Sequence, residues 1–166
     1  MDHASFETKF TVGEDGTIEG IAWPYGSPDR AGDIITKGAI RVPVSDLPML
    51  RGHDPDALIG LWTEVKETDA GLMVRGQLNL KSPLARGTRS QILTGQYTGL
   101  SIAWPRDTVK ARRQGRHRII SSIDLIEISV VRSPSHPGAR ITSAKSNPVV
   151  ALAEAINRAA AAIRGA

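Results

Sequence analysis

Three side chains of the types that nucleophilic catalysis needs stand far apart along this chain. Ser101 lies in Gly99-Leu100-Ser101-Ile102-Ala103-Trp104, an apolar run entered through a glycine. A hydroxyl in such a run is either a small filler bonded to a nearby carbonyl or a nucleophile held on a rigid strand. Gly95 and Gly99 raise the second reading, because they would let backbone and substrate approach closely. His53 follows Gly52 and precedes Asp54-Pro55, so it sits at a bend. Its ordinary pKa near working pH suits a general base, and the plainer reading is a half-exposed loop histidine beside Asp54 and Asp56. Glu127 stands in Asp124-Leu125-Ile126-Glu127-Ile128-Ser129-Val130-Val131, the most apolar stretch of the chain. A buried unpaired carboxylate is costly. Glu127 therefore either faces outward and pairs with an arginine or orients a histidine, as the acid of a Ser-His-acid triad does. Spacing alone does not say whether the three converge.

Other chemistries are less well supplied. The 166 residues contain no cysteine, which excludes disulfides, thiol catalysis and cysteine zinc sites. The four histidines, His3, His53, His117 and His136, show no pairing at helical spacing and no HExxH. His53 with Asp54 and Asp56 could hold an ion, but acidic loops ordinarily just turn. No metal and no cofactor are expected. The net charge is +4, and residues 106–118, RDTVKARRQGRHR, carry six Lys or Arg against one Asp. That segment is thus +5 and the remainder −1, so the basicity is local. The segment is read as a solvated hairpin tip around Gly115. Contact with an acidic protein segment or with DNA are its alternatives, the latter disfavoured because no aromatic residues interleave to stack bases.

The elements that must position these residues read as mostly β. Sixteen Gly and ten Pro punctuate short apolar stretches, and aromatics are only 4% of the chain, so Val, Ile, Leu and Ala must build the core. Strands are expected at 5–12 and 17–23 around Asp15-Gly16, then at 57–67 and 71–80 around Thr68-Asp69-Ala70-Gly71. Residues 24–38 read as loop with a short apolar piece at Ile34-Ile35, and 39–50 as a short helix or turn leading to His53. Ser82-Pro83 signals a helix start, with Leu84, Ala85, Ile92 and Leu93 inward and Gly95 as its stop. Residues 98–104 and 119–131 read as strands, the latter with Ile126, Ile128 and Val130 on one face and Leu125, Glu127 and Ser129 on the other. Residues 132–147 read as irregular. Asn147-Pro148 would cap a closing helix over 148–164. Six to eight strands with two or three helices imply an α+β fold, mainly β, with a barrel-like or sandwich core and helices outside. No run approaches a membrane span, and no signal peptide opens the chain, which reads as cytoplasmic.

The order of motifs resembles that of the phage prohead proteases, the capsid-maturation serine proteases related to herpesvirus assemblin. The resemblance is carried by Gly20-Ile21-Ala22 followed by Asp29 and Asp33; by Lys37-Gly38-Ala39-Ile40; by Leu50-Arg51-Gly52-His53; by Leu58-Ile59-Gly60 and Gly71-Leu72-Met73-Val74; by Gly99-Leu100-Ser101-Ile102; and by Leu125 to Val131 before Pro134 and Pro137. These pieces run in one order across residues 20–141. The resemblance implies a herpesvirus-protease-like β-barrel surrounded by a few helices. It implies Ser101 as nucleophile and His53 as general base. Glu127 would be the orienting acid, with His136 and Asp124 as competitors for that place. Oxyanion donors would come from the backbone near Arg132 and Ser133. It further implies a serine endopeptidase that cleaves the capsid protein's N-terminal extension or a scaffold, and itself, inside an assembling procapsid. A homo-oligomer such as a dimer is expected. The protease domain would span 1–142, and 143–166 would be a linker and helix that is self-processed or binds scaffold. The rival readings are a non-catalytic capsid- or scaffold-binding module and a nucleic-acid binder using residues 106–118.

Overall fold

The computed structural model describes residues 12–43, 47–142 and Ile156. Eleven strands occur among them: β1 (Thr17–Pro24), β2 (Asp33–Ile35), β3 (Ile40–Arg41), β4 (Leu47–Arg51), β5 (Asp54–Glu67), β6 (Gly71–Leu78), β7 (Gly99–Ala103), β8 (Lys110–Gln114), β9 (His117–Asp124), β10 (Glu127–Val131) and β11 (Arg140–Thr142). The one α-helix among them, α1, spans Pro83–Leu93, and a short 3-10 turn covers Arg106–Thr108.

Seven strands close a barrel in the order β1-β11-β7-β10-β4-β5-β6. Neighbours are antiparallel except β10 and β4, which run parallel. The barrel solves the scarcity of aromatics by closing on itself, so that inward residues of every strand share one core. Trp23 and Trp62 are buried in it with Ile18, Met49, Ile59, Leu72, Leu78, Leu100 and Ile128. The indole N–H of Trp62 donates to the carbonyl of Ile128 at 2.9 Å, tying β5 across the interior to β10. A second, smaller sheet centres on β9. It pairs in parallel with β2 and β3 and antiparallel with β8.

Local chemistry explains the borders. Ser82 caps α1 by accepting from the Ala85 N–H at 3.5 Å, Pro83 opens the helix, and Gly95 follows it with φ +77°. Asp15 side-chain oxygens accept from the Thr17 N–H and hydroxyl, at 2.9 and 2.8 Å, which fixes the turn before β1. Gly60 has no room for a side chain, because a Cβ there would lie 2.2 Å from the carbonyl oxygen of Gln77 on β6. Gly60→Ala is expected to cost roughly 3 kcal/mol and to lower Tm by roughly 10 °C. A thermal melt unchanged by the substitution would contradict the β5–β6 pairing.

The structure differs from the sequence reading in several places. The single strand expected over 119–131 is two strands in two sheets, with Leu125 and Ile126 between them. Ile126 is exposed, and all five residues of β10 are buried: Ile128 and Val130 lie in the barrel core, and on the other face Glu127 and Ser129 lie under His53. Residues 39–50 hold β3 and β4 rather than a helix. The inward face of α1 is Ala85, Thr88 and Ile92, while Leu93 is exposed. The basic segment is strand-rich, with β8 and the start of β9 joined at Gly115-Arg116. The strand expected at 5–12 lies outside the described residues apart from Val12, as does the closing helix over 148–164 apart from Ile156. No helix among the described residues is long and apolar enough to cross a membrane.

Candidate active site

Three adjacent barrel strands carry the residues singled out in the sequence. β10 is the middle strand, with β7 antiparallel on one side and β4 parallel on the other. In that register Ser101 of β7 stands opposite Ser129 of β10, and Ala103 stands opposite Glu127. Glu127 and Ser129, two residues apart on one strand, share a face. His53 follows the end of β4, in the two-residue connection to β5 in which Arg51 pairs with Asp54.

That connection explains why Gly52 precedes His53. Gly52 has φ +66° and His53 φ +62°. A type I′ hairpin needs positive φ at both central residues. Glycine meets this freely, and histidine meets it at some cost in backbone energy. His53 is the one non-glycine residue with positive φ among the described residues. Three contacts to β10 hold it there. Its backbone N–H donates to Ser129 Oγ at 2.9 Å, its Nδ1 pairs with Glu127 Oε1, and Gly52 N–H donates to the carbonyl of Val130 at 3.0 Å. Ser129 Oγ in turn donates to Glu127 Oε2 at 2.8 Å. One serine hydroxyl thus ties together the backbone of His53 and the carboxylate that pairs with its ring.

Glu127 is 7% exposed and Ser101 4%. Glu127 is therefore not the outward, arginine-paired carboxylate of the plainer sequence reading. Its hydrogen bond to His53, with its charge as a smaller contribution, raises the imidazole pKa above its ordinary value, against partial burial, which lowers it. His53 and Glu127 line a cleft of about 880 Å³ together with Ser101, Leu50, Ile102 and Trp104.

The other candidates lie elsewhere. Asp124 forms an exposed ion pair with Arg41 and does not line the cleft. His136 is buried against Trp23, ring centroids 5.1 Å apart, and its Nδ1 accepts from the Gly138 N–H at 3.1 Å. Its Nε2 lies 3.2 Å from both Ser27 Oγ and the Ser27 carbonyl. Both ring nitrogens are thus engaged in holding the 132–139 turn. Arg132 is exposed, with its guanidinium 5.0 Å from the Tyr97 ring, and neither Arg132 nor Ser133 lines the cleft. The residue of this turn that does is Ser135, whose hydroxyl lies 3.3 Å from Ser101 Oγ.

The sequence reading missed Ser135 and the role of Ser129. The period-two spacing of Glu127 and Ser129 was a usable signal for Ser129; nothing local marked Ser135. Gly95 follows the end of α1 at φ +77°, the stop that the sequence predicts. Gly99 makes room for protein: Pro134 fills the space over it, where a Cβ would lie 2.7 Å from the proline ring. Among the described residues no three His, Asp or Glu side chains group as metal ligands.

Fold and site together define a closed β-barrel with a serine, a histidine and a buried carboxylate around one cleft. The family model for caudovirus prohead serine protease matches residues 4–151, and the chain belongs to that family. It is 33% identical over 155 residues to the prohead protease of Enterobacteria phage HK97, covering 84% of this chain and 65% of that protein. It is likewise 33% identical over 153 residues to the capsid polyprotein of Pseudomonas phage PAJU2, covering 87% of this chain and 22% of that one. The chain thus spans less than two thirds of the length of each of these relatives. Among solved structures it is similar to the KSHV protease in complex with a hexapeptide phosphonate inhibitor. The TM-score is 0.52 at 14% identity, over 75% of this chain and 63% of that one.

Proposed function

We propose that this chain is a serine endopeptidase of capsid maturation, with Ser101 as nucleophile, His53 as general base and Glu127 as the orienting acid. The observation that carries the reading is the buried Glu127 carboxylate on His53 Nδ1, with His53 held at positive φ beside the cleft that Ser101 enters. With Nδ1 taken by Glu127, Nε2 is the nitrogen left to accept a proton. It takes the Ser101 proton as Oγ attacks a peptide carbonyl, and the imidazolium returns that proton to the leaving amine. Water then hydrolyses the acyl-enzyme, with the same nitrogen as base. The turn 132–135, which the resemblance makes act through Arg132 and Ser133, supplies the oxyanion donors, and the Ser135 hydroxyl lies 3.3 Å from Ser101 Oγ.

A non-catalytic module would have no use for a strained histidine tied to a buried carboxylate, so the enzymatic reading is the better supported. The substrate is a capsid protein extension or scaffold. A stretch similar to this chain lies within a protein named as a capsid polyprotein, which supports that class. The enzyme acts as an oligomer within the assembling particle. The segment 143–166 is one that it removes or that binds scaffold.

Treatment with a fluorophosphonate, followed by peptide mapping, tests the reading. A single adduct on Ser101 is expected, with labelling slowed in His53→Ala. An unlabelled Ser101, even at high protein concentration with a capsid protein precursor present, would overturn it.

A further inference from the structure

The cleft and a groove on the basic hairpin share one wall residue, Arg118. This residue of β9 lines the catalytic cleft together with Arg106. It also lines a neighbouring groove of about 320 Å³ with Arg113, Arg116 and His117. Arg118 itself is neutralised by a two-pronged pair with the buried carboxylate of Asp33, Nε to Oδ1 at 2.8 Å, which anchors the hairpin to β2. The cations around it are not neutralised. Among the described residues, Arg106, Lys110, Arg112, Arg113 and Arg116 form no ion pair. Every residue of β8 is exposed, and among the described residues β8 pairs only with β9, so that none of them covers its other edge.

Clustered like charges repel, and a surface free of function disperses them or pairs them. Here they stand on an ordered two-stranded hairpin that runs from the cleft wall outward. The open edge of β8 offers backbone N–H and C=O groups to an extended chain. The arginine side chains offer charge to carboxylates. No aromatic side chain stands within residues 106–118 to stack a base, which favours a polypeptide over a nucleic acid.

We propose that the β8–β9 hairpin, with Arg106 at the cleft wall, is an exosite for an acidic polypeptide segment lying to one side of the bond to be cut. The proposal rests on the protease reading and names the substrate class of that site as acidic, extended protein. Steering by such a patch raises the local concentration of acidic chains at the cleft and weakens with salt.

The test separates this from catalysis by using the Ser101→Ala protein, full length. Fluorescein-labelled dodecaglutamate is titrated by anisotropy at low and physiological salt. Binding is expected, weaker with salt, and roughly tenfold to hundredfold weaker when Arg112→Ser, Arg113→Ser and Arg116→Ser are combined. The charge-reversal set Arg112→Glu, Arg113→Glu and Arg116→Glu is expected to prefer dodecalysine, which also shows that the hairpin is still presented. No binding, or binding equal in the serine-substituted protein, would overturn the exosite. Tighter binding of dodecathymidylate than of dodecaglutamate would overturn it in favour of nucleic acid. Failure of Ser101 to label with a fluorophosphonate would remove the protease reading and leave the binding result standing.

Discussion

Ser101→Ala is expected to lower peptide cleavage on the order of 10⁶-fold while leaving the melting temperature almost unchanged. The contrast decides between the two readings of this serine. A filler hydroxyl on a buried strand exchanges for alanine with little effect on any activity, because its one hydroxyl contact is to Ser135 at 3.3 Å. A nucleophile leaves no acyl-enzyme when removed, so binding and oxyanion donors alone remain. Those account for about 10³ to 10⁴ over water in comparable triads. Steady-state cleavage of a capsid protein precursor, followed by mass spectrometry of the products, reads the loss. Cleavage within tenfold of the unsubstituted protein would return Ser101 to a structural role and with it the whole assignment.

Glu127→Gln is expected to lower kcat/KM by about 10⁴ and to move the acid limb of the pH profile downward. In the proposed mechanism the carboxylate holds His53 in the tautomer with Nδ1–H and stabilises the imidazolium formed in the transition state. A carboxamide does neither reliably, although it fills the same space beside Ser129. The shift in pH dependence follows from sign. Hydrogen bonding and charge from Glu127 raise the His53 pKa, and burial lowers it. A general base must be neutral, so activity rises with pH through a limb above the ordinary histidine value of about 6.5. Without the carboxylate only burial remains, and the limb moves to lower pH. Stability runs the opposite way. A raised folded-state pKa means that the His53–Glu127 pair contributes fully below the unfolded pKa of the imidazole. That contribution is lost as pH rises through the folded pKa. The active form of the base is therefore the form in which the turn is held less tightly. A limb unmoved by Glu127→Gln would show that the carboxylate does not act on the catalytic proton.

The candidate side chains of this site are legible in the sequence. Ser101 and His53 have plain structural readings taken one at a time, Glu127 is a carboxylate in an apolar stretch, and it is the family resemblance that gives the three their roles. The Ser82-Pro83 helix start, the Asp15-Gly16 turn and the β5–β6 hairpin were legible too. Capping and tight turns are local, set by residues within a few positions of one another. The family resemblance drew on the order of such local pieces.

What lay beyond the sequence is non-local. The division of 119–131 into β9 and β10 depends on two partner sheets competing for one apolar run, and apolarity alone does not report where a chain changes sheets. The parallel pairing of β4 with β10 depends on barrel closure, and it alone brings His53 to Glu127 across 74 residues of chain. Ser129 and Ser135 became meaningful only through contacts with residues far away in sequence. The same holds for His136 and Asp124, which had the chemistry of a third member but which packing and pairing with Trp23, Ser27 and Arg41 place outside the cleft. The sequence by itself determined which side chains are candidates for chemistry and which short segments turn or cap, because those depend on residue type and near neighbours. Only the tertiary structure decided which side chains meet, because barrel closure and strand register set distances that no local spacing encodes.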